Sequence, residues 1–115
     1  MRVDTGAPVT LAPMRWWDLT EVAALERRVV VGEPPWTVEM LWAELAGVPQ
    51  RRYYLTAWDD GRLVGYAGMA VGPDSADVMT LGVDPSRRRR GTGSALLSAL
   101  VGEAERRDVP GTGRS

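Results

Sequence analysis

The chain has 115 residues, 44% of them hydrophobic and 25% charged, with a net charge of −1. That is enough for one domain with a modest core, and the near-neutral charge argues against a nucleic-acid binder held mainly by electrostatics. With no Cys and no His, a disulfide framework, a thiol nucleophile, the usual general base and most transition-metal sites are excluded, so no metal is expected. Every basic side chain is Arg. No apolar run approaches the roughly 20 residues that span a bilayer. The first six residues, Met1 to Gly6, carry no charged-then-apolar leader pattern, so no membrane partner and a cytoplasmic location are expected.

Val9-Thr10-Leu11-Ala12 reads as a short first strand stopped by Pro13. Asp18-Leu19-Thr20-Glu21 has capping-box spacing, and Val22, Leu25 and Val29 follow at helical intervals, which predicts a helix over 19–29. Gly32-Glu33-Pro34-Pro35-Trp36 is a rigid loop, because two prolines cannot continue a helix. Thr37 caps a second helix whose stripe is Val38, Leu41, Trp42 and Leu45, ended by Gly47 and Pro49. Trp42, Trp58 and Leu96 are expected in the core. Trp16 and Trp17 are adjacent, so one of them is expected to face solvent.

Tyr53 to Trp58 and Leu63 to Val71 read as strands joined by an Asp59-Asp60-Gly61-Arg62 hairpin turn. The glycines of the second strand mark a bulge or a close backbone approach. Gly72-Pro73-Asp74 turns the chain into a third strand, Ala76 to Val83, and the three form an antiparallel meander. A helix after Gly91 carries Leu96, Leu97, Leu100, Val101 and Ala104 on one face. Residues 108–115 show no periodicity and read as a disordered tail, which leaves a single domain with its core at about residues 8–107.

The most informative stretch lies between the last strand and the last helix. An apolar run ends at Val83, Pro85 breaks it, Arg87 to Arg90 follow, and Gly91-Thr92-Gly93 opens the helix. A helix start presents backbone N–H groups without partners and the positive end of the helix dipole. Glycines let a ligand approach that backbone, so with Arg88, Arg89 and Arg90 nearby the stretch suits a phosphate or pyrophosphate. It is not a P-loop, lacking the Gly-Lys-(Ser/Thr) ending, nor a dinucleotide fingerprint, lacking the first Gly. The arginines also fit a solvated basic loop or a nucleic-acid patch.

Arg88-Arg89-Arg90-Gly91-Thr92-Gly93, between Val83-Asp84-Pro85 and Ser94-Ala95-Leu96-Leu97, resembles the (Gln/Arg)-x-x-Gly-x-(Gly/Ala) signature of GNAT-type N-acetyltransferases. Glu33-Pro34-Pro35-Trp36-Thr37 and Asp60-Gly61-Arg62-Leu63-Val64-Gly65-Tyr66 resemble the RimI type, the ribosomal-protein alanine N-acetyltransferases. The resemblance implies an α/β (α+β) fold, a mostly antiparallel sheet flanked by helices in the order β-α-α-β-β-β-α. It implies acetyl-CoA as co-substrate and a primary amine as acceptor, a peptide or protein N-terminus such as that of a ribosomal protein. Leu81, Gly82 and Val83 would pair with the pantetheine arm and help polarise the thioester. Arg88 to Arg90, Gly91, Thr92, Gly93 and Ser94 would hold the pyrophosphate, largely through backbone N–H, and Trp36 would serve either the substrate loop or the core.

Family domains continue past this helix with a strand, a helix bearing Asn-x-x-(Ala)-x-x-x-Tyr, and two closing strands. That part supplies a Glu and a Tyr for proton transfer and one wall of the pantetheine cleft. A C-terminally truncated domain is therefore expected, with a non-catalytic CoA-binding module or an inactive enzyme as the alternative function. No acid or base is assigned; Asp77 and Glu33 are the nearest carboxylates, and Tyr66 or Tyr53 the candidate proton donors. The strand Ala76 to Val83 would form an open edge, and such an edge implies a homodimer or aggregation.

Overall fold

The structure is a computed structural model that describes residues 9–30, 34–48, 50–87 and 90–107. The expectations on Glu33, Pro49, Arg88, Arg89 and the 108–115 tail fall outside the described residues.

Four strands, β1 (Thr10–Pro13), β2 (Arg52–Asp59), β3 (Arg62–Val71) and β4 (Ala76–Val83), form one antiparallel sheet in the order β1-β2-β3-β4. The expected meander is present. Asp59 pairs with Arg62 across a two-residue loop in which Asp60 (φ 53°) and Gly61 (φ 81°) both take left-handed backbone, as a right-twisted hairpin requires. Pro13 does not stop β1 but closes it, opposite Leu55. It is tolerated because β1 is an edge strand, where a missing N–H breaks no inner ladder.

The helices are α1 (Leu19–Val29), α2 (Val38–Leu45) and α3 (Thr92–Arg106). On one face of the sheet α1 and α2 bury Val22, Leu25 and Leu41 against Tyr54, Leu63 and Tyr66. On the other, α3 buries Leu96, Leu100 and Ala104 against Leu55, Val64 and Met69. Thr37 caps α2, its Oγ1 accepting the Met40 N–H at 3.2 Å. The capping box expected at Asp18 and Glu21 does not form. Asp18 closes a 3-10 turn over Trp16–Asp18 instead, and its Oδ2 accepts the Arg15 N–H at 2.9 Å. Among the described residues no helix is long and apolar enough to cross a membrane.

Three aromatic and apolar expectations are corrected. Trp42 is 52% exposed, because Val38, Leu41 and Leu45 already fill the inward stripe of α2 and Trp42 turns away from it. It stacks on Trp16 at 6.4 Å between centroids. Trp16 and Trp17 are both exposed, since their 3-10 turn lies on the surface and leaves them edge to face. Leu97 is exposed as well, one position off the buried stripe of α3. Leu96 is fully buried, and Trp58 packs half-buried on the α1/α2 side.

The glycines of the meander do both things expected of them. A register shift between Gly68 and Met69 leaves Met79 of β4 without a cross-strand partner. Close approach occurs twice. Tyr54 sits directly opposite Gly68, and Tyr66 directly opposite Gly82. A Cβ on Gly68 would lie 2.2 Å from the Tyr54 ring, and one on Gly82 2.5 Å from the Tyr66 ring. Each hydroxyl then donates to a glutamate of the covering helix, Tyr54 to Glu44 of α2 at 2.7 Å and Tyr66 to Glu26 of α1. Gly68→Ala is expected to cost about 1–3 kcal/mol in urea unfolding by overpacking. Gly72→Ala, where the nearest atom is a carbonyl at 3.5 Å, is expected to stay within about 0.5 kcal/mol of the original chain.

Candidate functional site

After Val83 the chain must leave the sheet and enter α3 in a few residues, and side chains pin that turn. The Asp84 N–H donates to the Val64 carbonyl at 2.8 Å. Its Oδ1 accepts the Ser86 N–H (2.9 Å) and Oγ (2.8 Å), and its Oδ2 accepts Arg28 Nη2 (2.7 Å). The Ser86 backbone N–H foremost, with Arg28 and the Ser86 hydroxyl, lowers the Asp84 carboxyl to a pKa of about 2, against the opposing effect of burial. Pro85–Arg87 forms a 3-10 turn. Arg87 is buried and paired with Asp59 at 2.9 Å. Arg87 departs from the solvated-loop alternative: it braces the loop on the β2–β3 hairpin, where Asp59 offers an opposite charge.

The helix start beyond is bare. Gly91 is the N-cap, with φ 82° and no side-chain cap, and the first helical bond runs from the Ala95 N–H to the Gly91 carbonyl at 2.9 Å. The N–H groups of Thr92, Gly93 and Ser94 therefore have no acceptor within the helix. Among the described residues a Cβ on Gly91 would meet nothing within 4 Å, which leaves open space over this turn. Thr92 is 2% exposed and tucks its methyl toward Gly65, and its Oγ1 has no hydrogen-bond partner among the described residues. Ser94 and Arg90 are exposed. Open space, orphan amide donors, the helix dipole and Arg90 fit an anionic group such as a pyrophosphate.

Of the other sequence-derived candidates, Leu81 is exposed, Val83 half-buried, and Gly82 buried beneath the Tyr66 ring. Leu81 and Val83 side chains lie on the α3 side, near Gly93, which joins this strand end to the helix start. Trp36 is half-buried against the α1/α2 core. Asp77 is exposed on β4. Tyr53 lies on the opposite face from Tyr66, under the Arg107 guanidinium at 5.5 Å, and burial raises its pKa. A cleft of about 480 Å³ opens between α1 and the Asp84 loop, but its arginines are already engaged, Arg28 by Asp84 and Arg62 by Ser86.

Sequence reasoning missed Glu26, Arg28 and Thr80. Glu26 did leave a trace: it stands at i+4 from Val22, inside an otherwise apolar stripe. Because its folded pKa is depressed, Asp84 contributes stability above the unfolded carboxylate value and loses it as pH falls through the folded one. Asp84→Asn is expected to unfold at lower denaturant than the original chain at pH 7, and the gap is expected to close between about pH 4 and pH 2.

Comparison with known proteins converges on one family. The sequence model of the acetyltransferase (GNAT) family matches residues 16–112. The N-alpha-acetyltransferase RimI of Mycobacterium tuberculosis is 37% identical over 105 residues, covering 88% of this chain and 65% of that protein. Among solved structures, the ribosomal-protein-S18-alanine N-acetyltransferase of Escherichia coli superposes with a TM-score of 0.75 at 27% identity, covering 88% of this chain and 62% of that one. The PaiA N-acetyltransferase of Thermoplasma acidophilum, in complex with coenzyme A, shares the fold at 15% identity with a TM-score of 0.81. The chain thus spans slightly less than two thirds of the length of its RimI relatives. It belongs to the GNAT acetyltransferase family.

Proposed function

We propose that this chain is a single cytoplasmic domain that binds acetyl-CoA and transfers the acetyl group to a primary amine, the N-terminal amine of a protein. The observation that carries the reading is the uncapped start of α3, with its open glycine turn, in a chain of this family. Arg88, Arg89, Arg90, Gly91, Thr92, Gly93 and Ser94 hold the pyrophosphate. Leu81, Gly82 and Val83 offer their backbone to the pantetheine arm, and the exposed part of Trp36 meets the acceptor. The names of the M. tuberculosis and E. coli relatives support an N-terminal acceptor, with a ribosomal protein that begins with alanine as the first to try. In the reaction the neutral amine nitrogen attacks the thioester carbonyl, the C–N bond forms, the C–S bond breaks, and CoA leaves as the thiol once protonated.

Calorimetric titration with acetyl-CoA tests the site. Binding to the original chain, weakened at least about tenfold in an Arg90→Glu, Gly91→Asp variant that circular dichroism shows to be folded, is the expected result. Acetylation of an Ala-starting peptide, followed by mass, tests the activity. Binding without turnover would favour the non-catalytic CoA-binding reading, and no binding would overturn both. Among the described residues β4 pairs only with β3, which supports self-association through its other edge. Light scattering is expected to show dimers at high concentration, and a monomer at every concentration opposes this.

A further inference from the structure

The two tyrosine–glutamate pairs on the α1/α2 face differ in one respect. Glu44, joined to Tyr54, also receives Arg52 Nε at 2.7 Å, so its charge is balanced by an ion pair. Glu26, joined to Tyr66, is 3% exposed and has no cation beside it among the described residues. The other charged groups on the elements packed against α1 are spent elsewhere or face water. Arg28 is held by Asp84, Arg62 by Ser86, and Asp18 by the Arg15 backbone. Glu21 and Arg27 of α1, Glu39 of α2 and Asp77 of β4 are exposed. A buried carboxylate without a cation is costly to keep charged. Such a group is a candidate for proton chemistry when a path leads to it.

A path exists. The Tyr66 hydroxyl donates to Glu26, and Thr80 of β4 lies on the same face of the sheet, opposite Gly68 and two residues before the Gly82 that the Tyr66 ring covers, where its hydroxyl acts to lower the Tyr66 pKa against the larger raising effects. Thr80 is half-exposed, and it immediately precedes Leu81, Gly82 and Val83 on β4. Resting on the acetyl-transfer reading, we infer that Thr80, Tyr66 and Glu26 form a proton relay that takes the proton of the acceptor amine. The balance is complete. The ammonium N–H passes its proton to Thr80 Oγ, Thr80 passes its own to Tyr66 Oη, and Tyr66 passes its own to the Glu26 carboxylate. The amine is left neutral with its lone pair, and the proton rests on Glu26. Burial, and then the bond to Glu26, hold the Tyr66 pKa well above its ordinary value of 10, so the phenol stays protonated and conducts rather than acts as a base. Thr80 is the group that touches substrate, and Tyr66 and Glu26 act through it.

The test uses the full chain, acetyl-CoA and an Ala-starting peptide, with initial rates from pH 6 to 9.5 for Thr80→Val, Tyr66→Phe and Glu26→Gln. Tyr66→Phe keeps the ring over Gly82 and Thr80→Val keeps its shape, so these two carry the test if Glu26→Gln does not fold. At pH 7 each variant is expected to lose about 100-fold in kcat/KM, the scale of general-base catalysis. At pH 9.5, where an α-amine of pKa about 8 is already neutral, the loss is expected to shrink to about threefold or less. Acetyl-CoA affinity is expected to hold within about threefold, because the relay touches the amine and not the cofactor. Glu44→Gln, which disturbs the other pair, is expected to show no pH-dependent change. A loss of the same factor at every pH, or rates within twofold of the original at pH 7, overturns the relay while the acetyl-transfer reading stands. Absence of turnover by the original chain with any amine overturns both.

Discussion

Two phenol rings lie on two glycines, and the sheet depends on that contact. Tyr54 fills the place of a side chain at Gly68, and Tyr66 does so at Gly82. A slip of one residue in either ladder would bring Ala67 or Met69 under the first ring, or Leu81 or Val83 under the second. Overpacking of that kind costs about 1–3 kcal/mol or more per site, against a total stability of about 5–15 kcal/mol for a domain. Register is therefore fixed from β2 through β4 by shape alone. The same contacts set the thickness of the α1/α2 layer, because each ring ends in a hydroxyl that a helix glutamate receives. Fixed register in turn puts the end of β4 beside Val64, where the Asp84 N–H finds its acceptor.

The loop that follows divides its work between charged side chains and bare backbone. Asp84 and Arg87 are both buried and both matched, one by Arg28 and Ser86, the other by Asp59. Their charges are used to hold the turn and are largely cancelled within it. What remains toward solvent is the start of α3, where no side chain caps the N–H groups and Arg90 is exposed. An anion arriving there meets donors already in place and need not order them. Preorganisation of that kind is what turns a helix start into a useful site.

Much of this architecture was legible in the sequence because it follows from local rules. The Asp60-Gly61 turn, the Thr37 cap and the order of strands and helices come from backbone preferences that do not depend on distant residues. The glycine turn before α3 was legible for the same reason. Longer-range facts were not. Asp18 had the spacing of a cap, yet the 3-10 turn at Trp16 sends its carboxylate to Arg15. Trp42 had a helical interval, yet Val38, Leu41 and Leu45 suffice for the narrow inward face of an eight-residue helix. The glycines of β3 announced a close approach without naming the tyrosines that make it. Glu26 within an apolar stripe was a visible anomaly, but its meaning needed Tyr66, forty residues away.

The comparison between Glu26 and Glu44 shows why that anomaly is more than packing. Both receive a tyrosine hydroxyl from the strand beneath, so the hydrogen bond alone does not distinguish them. If the contact served only to tie a helix to the sheet, the Glu44 arrangement would do it at lower cost, since Arg52 offsets the buried charge. Glu26 forgoes that offset at a more deeply buried position, where an uncompensated charge costs more. A leucine at Glu26 would complete the stripe of Val22, Leu25 and Val29 and leave Tyr66 to find a partner in Thr80. The carboxylate makes physical sense where a proton can reach it, and among the described residues Tyr66 and Thr80 lead from it toward the edge of β4.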